Sequence, residues 1–236
     1  MRNLLLLILS IFVLGSCNDS TKKRKNFTIE GSISGFTKGT IFLKKKKDTL
    51  FISVDSFSVK NDGHFILTDQ IESPEIYYLR IKEKPSDSIL VFAEKGVLKL
   101  TASLENLSIT SSIDGSINHS LLNDYRRMNN KFNDKKLDLY KLNFDASKEG
   151  NNRLVDSLNN VYKHLVHKQY LYTTNFAVKN ADKAISPYLA LTQLYNANIK
   201  LLDTINNSLS DDIRSSKYGK QLDDFIAFIK KNEPIK

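Results

Sequence analysis

From Phe27 onward, apolar and polar residues alternate. In Phe27-Thr-Ile-Glu-Gly-Ser-Ile-Ser34 the residues Phe27, Ile29 and Ile33 fall on one side and Thr28, Glu30 and Ser32 on the other. A period of two is the pattern of a strand buried on one face. Similar short runs follow: Gly39 to Lys44, Leu50 to Val54, Ser56 to Lys60 and His64 to Leu67, then Ile76 to Ile81, Ile89 to Phe92, Val97 to Ala102 and Leu107 to Ile113. Their β-branched and aromatic content and close spacing predict an antiparallel β-sandwich or open barrel. Asn61-Asp62-Gly63 reads as a hairpin connection, because glycine takes positive φ without steric cost. Pro74 stands just ahead of the Ile76 run, where its missing N–H does little harm.

The period changes after Asp114. Leu121, Tyr125, Met128, Phe132, Leu139 and Leu142 recur at helical spacing, with Lys135 interrupting. Leu154, Leu158, Val161, Leu165 and Tyr172 do the same, with Lys168 interrupting. Two such stripes joined by Asp145-Ala-Ser-Lys-Glu-Gly150 predict an antiparallel helical hairpin. The stripes are narrow and contain lysine, so the hairpin is expected to project as an arm. Ser186-Pro187 is expected to open a helix as N-cap and first helical residue. A last helix is expected near Gln221 to Lys231, with Leu222, Phe225, Ile226 and Ile229 on one face. The predicted class is α+β: a β-domain over 27–113, then a helical region over 114–236 made of the arm and short C-terminal helices.

The first residues carry a different signal. Met1-Arg2-Asn3 is a short basic head, Leu4 to Leu14 is apolar with Ser10 as its one break, and Gly15-Ser16-Cys17 follows. A charged head, a short apolar core and a small-residue exit describe a secretory leader. The run is too short to span a bilayer, which takes about 20 apolar residues. Leu14-Gly15-Ser16-Cys17 resembles a bacterial lipobox, which implies acylation of the Cys17 sulfur and cleavage before it. The expected parts are a leader over 1–16 and a lipidated polar tether over 17–26. Cys17 is the one cysteine in the sequence, so no disulfide is expected. The tether run Lys22-Lys23-Arg24-Lys25 reads as a solvated spacer.

Composition adds little to this. Lys and Arg number 35 against 26 Asp and Glu, a net charge of +9. The β-domain is neutral; the helical region, with 19 basic and 14 acidic residues, holds 5 of the surplus, the tether 3 and Arg2 the last. A surplus spread over helices is no concentrated patch, so nucleic acid is not an expected partner.

From Phe27 to Lys220 the sequence resembles one family. Phe27-Thr-Ile-Glu-Gly-Ser-Ile-Ser-Gly35, Gly39-Thr-Ile-Phe-Leu43, Asp55-Ser56, Asn61-Asp-Gly-His-Phe65 and Pro74-Glu-Ile-Tyr-Tyr-Leu79 carry the resemblance in order. Asn180-Ala-Asp-Lys-Ala-Ile-Ser-Pro-Tyr-Leu-Ala-Leu191 and Ser215-Ser-Lys-Tyr-Gly-Lys220 extend it. These segments resemble bacterial envelope lipoproteins with the domain of unknown function 4369. In that family the helical region usually leads into a thioredoxin-like domain with a Cys-x-x-Cys pair. No such pair stands in this sequence, so the family's redox role is not expected of any residue here.

Other constellations are weak. His164 and His167 lie three apart on the second arm helix, the spacing of two metal ligands. A zinc site needs three or four protein ligands, and lysines flank the pair, so no metal or other cofactor is expected. His119 near Ser116 and Ser120 reads as part of a helix start. Asp211-Asp212 reads as an acidic first turn, favourable to the helix dipole. Tyr77 and Tyr78 are strand neighbours, so one ring is expected to face outward. That pair is the candidate contact surface. The expected function is a non-enzymatic scaffold in the cell envelope. It is held to the inner or outer membrane through Cys17, faces the periplasm and binds a protein partner. The resemblance adds a thioredoxin-like protein as one such partner. The alternatives are binding or sensing of a small ligand such as a glycan or metal, or an enzyme of unrecognised type.

Overall fold

The computed structural model describes residues 25–232. Eight strands form two four-stranded sheets. In the first, the order is β4 (His64–Asp69), β1 (Phe27–Ser34), β7 (Gly96–Ser103) and β8 (Ser112–Asp114). In the second, it is β3 (Leu50–Val59), β2 (Gly39–Lys47), β5 (Glu75–Ile81) and β6 (Lys84–Ala93). All pairings are antiparallel except β1 with β7, which runs parallel from Phe27↔Gly96 to Ser34↔Ser103. The alternation seen in the sequence is the physical cause. Phe27, Ile29 and Ile33 of β1 are buried between the sheets with Ile41, Leu67, Tyr77 and Leu98. Each fully buried side chain of this size contributes about 1.5–3 kcal/mol. The fold class is α+β, as the sequence predicts.

Two glycines have steric reasons. Gly31 pairs with Phe65, and a Cβ there would lie 2.0 Å from the Phe65 ring. Gly63 has φ +74 in the turn between β3 and β4, where a Cβ would meet the Ile33 carbonyl oxygen at 2.3 Å. The turn is closed by Asp62, whose carboxylate accepts from the His64 N–H at 3.2 Å.

Two strand expectations are corrected. Leu50 to Val54 and Ser56 to Lys60 are one strand, β3, rather than two. Asp55 does not break it, because its carboxylate accepts from the backbone N–H of Ser56 at 2.9 Å and of Thr68 at 2.8 Å. The second of these bonds ties β3 of one sheet to β4 of the other. The pairing with β2 shifts register between Leu43 and Lys44 to accommodate this. Leu107 to Ile113 is not a strand either. Leu107–Thr110 forms one helical turn, α1, capped from outside by the Asp87 carboxylate, which accepts from Leu107 N–H at 3.0 Å and Ser108 N–H at 3.3 Å. The pairing on β7 begins only at Ser112.

The helices are α2 (Ile117–Lys148), α3 (Asn152–Lys179), α4 (Ile185–Gln193), α5 (Ile199–Ser208), α6 (Asp211–Arg214) and α7 (Lys217–Asn232). Ser116 caps α2, accepting from the His119 N–H at 3.0 Å. Glu94 accepts from the Asn118 N–H at 2.8 Å and from the Ser116 hydroxyl, which places a negative charge at the helix start. Gly150, with φ +68, ends the turn at the arm's tip, and Asn151 caps α3 by accepting from the Leu154 N–H at 3.1 Å.

Ser186 is not the N-cap of α4. It lies inside the helix and is fully buried. The first N–H, that of Ile185, is taken instead by the side-chain oxygen of Asn118 at 2.8 Å, from the start of α2. Asp211 and Asp212 stand in the first turn of α6 behind the Ser210 cap, where the sequence places them.

The helices cover one face of the second sheet. Ile76 and Phe92 point away from the sandwich core and bury against Leu122, Tyr125, Ile185, Leu189 and Tyr218. This makes β5 buried on both faces. Beyond it, Ala177, Ala190, Leu202, Ile205, Leu222 and Ile226 form a further core among α3, α4, α5 and α7.

Candidate functional site

Two features stand apart from this packing: a charged cleft at the seam of sheet and helices, and the arm. The cleft has a volume of about 1090 Å³ and opens beside Lys45, Gln70, Glu75, Lys95, Lys217 and Lys220. Its centre is a compact charge network. Lys45 Nζ lies 3.1 Å from Asp69 Oδ2, 3.4 Å from Glu75 Oε1 and 3.2 Å from the Tyr77 hydroxyl. Tyr77 donates to Asp69 Oδ2 at 2.6 Å. The other Glu75 oxygen accepts from Lys217 Nζ. Nearby, the Tyr218 hydroxyl accepts from the Ile76 N–H at 2.9 Å, where the β2–β5 ladder has ended at Lys45↔Tyr77.

The electrostatics make this a lock. Burial alone would lift Asp69, but bonds from Tyr77, from its neighbour's backbone and from Lys45 outweigh it and hold the carboxyl below the usual range. Burial alone would lower Lys45, but Asp69 and Glu75 outweigh it and hold the ammonium above its usual value. Burial, then the bond to Asp69, pushes the Tyr77 hydroxyl far up. Asp69 and Lys45 both stay charged through neutral pH. A catalytic acid or base needs the reverse, a pKa drawn toward 7.

The arm is built differently. Helices of 32 and 28 residues have axial lengths of about 48 and 42 Å. At its base, aromatic rings hold the pair: Tyr125 stacks on Tyr172 at 5.8 Å and meets Phe176 edge-on at 5.5 Å. Further out the contact is polar. Gln169 donates to Asn129 at 2.7 Å, Asn143 donates to Asn159 at 3.1 Å, and Tyr140 donates to Tyr162 at 3.1 Å.

The predicted leucine seam is therefore displaced. Leu142 is 53 % exposed and Val161 is 49 % exposed. With Leu139 and Leu165 they flank the polar contact line on one side, where a groove of about 260 Å³ is lined by Lys135, Asp138, Leu139, Val161 and Leu165. On α2's opposite flank, Leu137, Tyr140 and Phe144 are also exposed. The predicted stripes leave these three out, although their own helical spacing is the signal that marks them.

The named candidates divide. Tyr77 is fully buried in the sandwich core, so its ring offers no contact surface. This corrects half of the expected pair. Tyr78 faces the other way, half-buried against the helical layer and edge-on to Phe51 at 5.0 Å. His164 and His167 are both exposed on α3, and no group of three or more metal-type ligands occurs among the described residues. His119 is buried, and its Nδ1 accepts from the Phe92 N–H at 3.4 Å. Burial, reinforced by Arg126, holds its pKa down to about 4. Cys17 and the leader lie outside the described residues. No described helix is long and apolar enough to cross a membrane.

No curated protein and no solved structure matches this chain. Residues 27–122, the whole sandwich and the first turn and a half of α2, match the family described as Domain of unknown function (DUF4369).

Proposed function

We propose that this protein is a non-enzymatic scaffold of the cell envelope. It is anchored through acylated Cys17 and presents the α2–α3 arm to a protein partner. The observation that carries the reading is the arm itself. It extends well past the core that holds its base and leaves Leu137, Tyr140, Leu142, Phe144 and Val161 exposed. Exposed apolar residues concentrated on a projecting hairpin, on both of its flanks, mark it as an interaction surface. The charge network in the cleft supports the non-enzymatic part, since Asp69 and Lys45 are held charged through neutral pH. The lipobox resemblance at Leu14 to Cys17 supports the anchor.

The test has two arms. Mass spectrometry of the exported protein should find Cys17 as an acylated N-terminus, and a free thiol there would remove the anchor. Photo-crosslinking residues placed at exposed arm positions in living cells should capture one defined protein. Capture from the sandwich edges but never from the arm would overturn the scaffold reading. A thioredoxin-like protein is the partner class to examine first.

A further inference from the structure

We propose that a polar pocket at the base of the arm binds the end unit of a saccharide. This goes beyond the scaffold function and does not depend on it. The pocket has a volume of about 250 Å³ and lies across the polar contact line from the apolar groove. Three pieces of chain wall it. α2 supplies Asn129 and Asn133, α3 supplies Gln169 and Tyr170, and the end of α4 with the loop after it supplies Gln193 and Tyr195.

The amides are set in advance. Gln169 Nε2 donates to Asn129 Oδ1 at 2.7 Å and to Asn133 Oδ1 at 3.4 Å. With those oxygens engaged, each asparagine keeps its NH2 as a spare donor, and the Gln169 carbonyl oxygen remains a spare acceptor. On the facing wall Gln193 donates to the Thr192 hydroxyl at 3.4 Å, which leaves Gln193 Oε1 as a second acceptor. These spare groups have no protein partner among the described residues. The lining therefore offers donors and acceptors whose polarity is fixed before a ligand arrives, so less ordering is left for binding to do.

That inventory selects hydroxyl groups. A hydroxyl is donor and acceptor at once, and neighbouring hydroxyls on a sugar ring satisfy amides of both polarities. The tyrosines add the other half of sugar recognition, an apolar ring face for the sugar's C–H bonds beside a polar handle. Tyr195 is 61 % exposed and Tyr170 is half-buried, and neither hydroxyl has a protein partner among the described residues.

The same lining disfavours other ligands. It contains no carboxylate, so it offers no anionic oxygen to a divalent cation. Lys136 is its one charged side chain, too little for a phosphate-rich ligand. Val166 is its one aliphatic side chain, so a lipid tail or the apolar side chains of a peptide find no slot. Its volume is at the small end for ligand pockets, which suits a terminal sugar with the rest of the chain left in solvent.

The test uses the full exported protein, purified in a detergent without a sugar head group. Saturation-transfer NMR and calorimetry are run against maltotriose, cellotriose, xylotriose, mannotriose and chitotriose. At least one should bind with a Kd of ~1 mM or tighter. Tyr195→Ala and Asn133→Ala alter exposed positions and should each weaken that binding ~10-fold or more with an unchanged thermal melt. Leu142→Ala, across the contact line, should leave it unchanged.

Failure of every sugar to bind overturns the proposal. Binding that Tyr195→Ala and Asn133→Ala leave intact places the sugar elsewhere and overturns it as well. A neutral glycine-serine peptide that binds when no sugar does, and is lost in Tyr195→Ala, assigns the pocket to a peptide and has the same effect. None of these outcomes bears on capture of a protein at the arm, so the scaffold function stands or falls separately.

Discussion

His119 shows how one buried side chain sets a pH dependence. Its ring stays neutral in the fold because burial and Arg126 disfavour the charged form, with a pKa of about 4 against an ordinary 6.5. In the unfolded chain the ring takes up its proton first. Stability is therefore fully present above about pH 6.5 and is lost as pH falls toward 4, by about 3 kcal/mol at most. Urea unfolding at pH 7 and pH 4.5 should show this slope, and His119→Asn should flatten it. The aspartates held low, Asp55 and Asp69, act in a separate window, below the ordinary carboxylate value of 3.8. Tyr77 offers a second residue-scale case. Tyr77→Phe keeps the ring in the core and removes the donor to Asp69 at 2.6 Å. It should cost about 1–3 kcal/mol in denaturant titration, since a buried charged acceptor loses a partner.

The elements divide into those that local pattern encodes and those that need a distant residue. The strands were legible because one face is buried, and burial forces alternation: Phe27, Ile29 and Ile33 could not sit otherwise. The arm helices were legible for the same kind of reason. The exceptions each involve a long-range hydrogen bond. Leu107–Thr110 alternates like a strand, but Asp87 from β6 satisfies its N–H groups and turns it into a helix. Ser186 has the residue type of an N-cap, but Asn118 reaches the start of α4 across 67 positions and occupies that role. Nor could periodicity show that asparagine and glutamine would form the arm's contact line, because a leucine stripe looks the same inside a seam or beside it. The Asn118 cap is testable. Asn118→Ala should cost about 1–2 kcal/mol in thermal unfolding and speed amide exchange at Ile185, while leaving the strands protected.

At the scale of the whole molecule, the sandwich and the helices are joined through a few specific ties. Glu75 is the central one, its side chain 10 % exposed and shared by Lys45 and Lys217. Glu75→Gln keeps the shape and removes the charge, leaving two ammonium groups facing each other. It should lower stability by about 2 kcal/mol. Proteolysis should then attack the start of α7 before any strand. The arm contributes little to this joint, because its outer half buries only Ala146 near the tip. The same division explains why Tyr77 failed as a contact residue. The sheet that carries it is covered on both sides, and α2 and α3 hold most of the exposed apolar side chains of the helical region.

The position of β1 has a mechanical consequence. It lies in the interior of its sheet, paired with β4 over six residues on one side and with β7 over eight on the other. A pull arriving N-terminal to Phe27 would run along the strand axis. The rungs on both sides would then share the load in shear and would have to give way together. Three-residue β8, at the rim, would instead unzip one rung at a time. If the proposed anchor holds the chain by its leading end, the load enters at an interior strand and not at a rim.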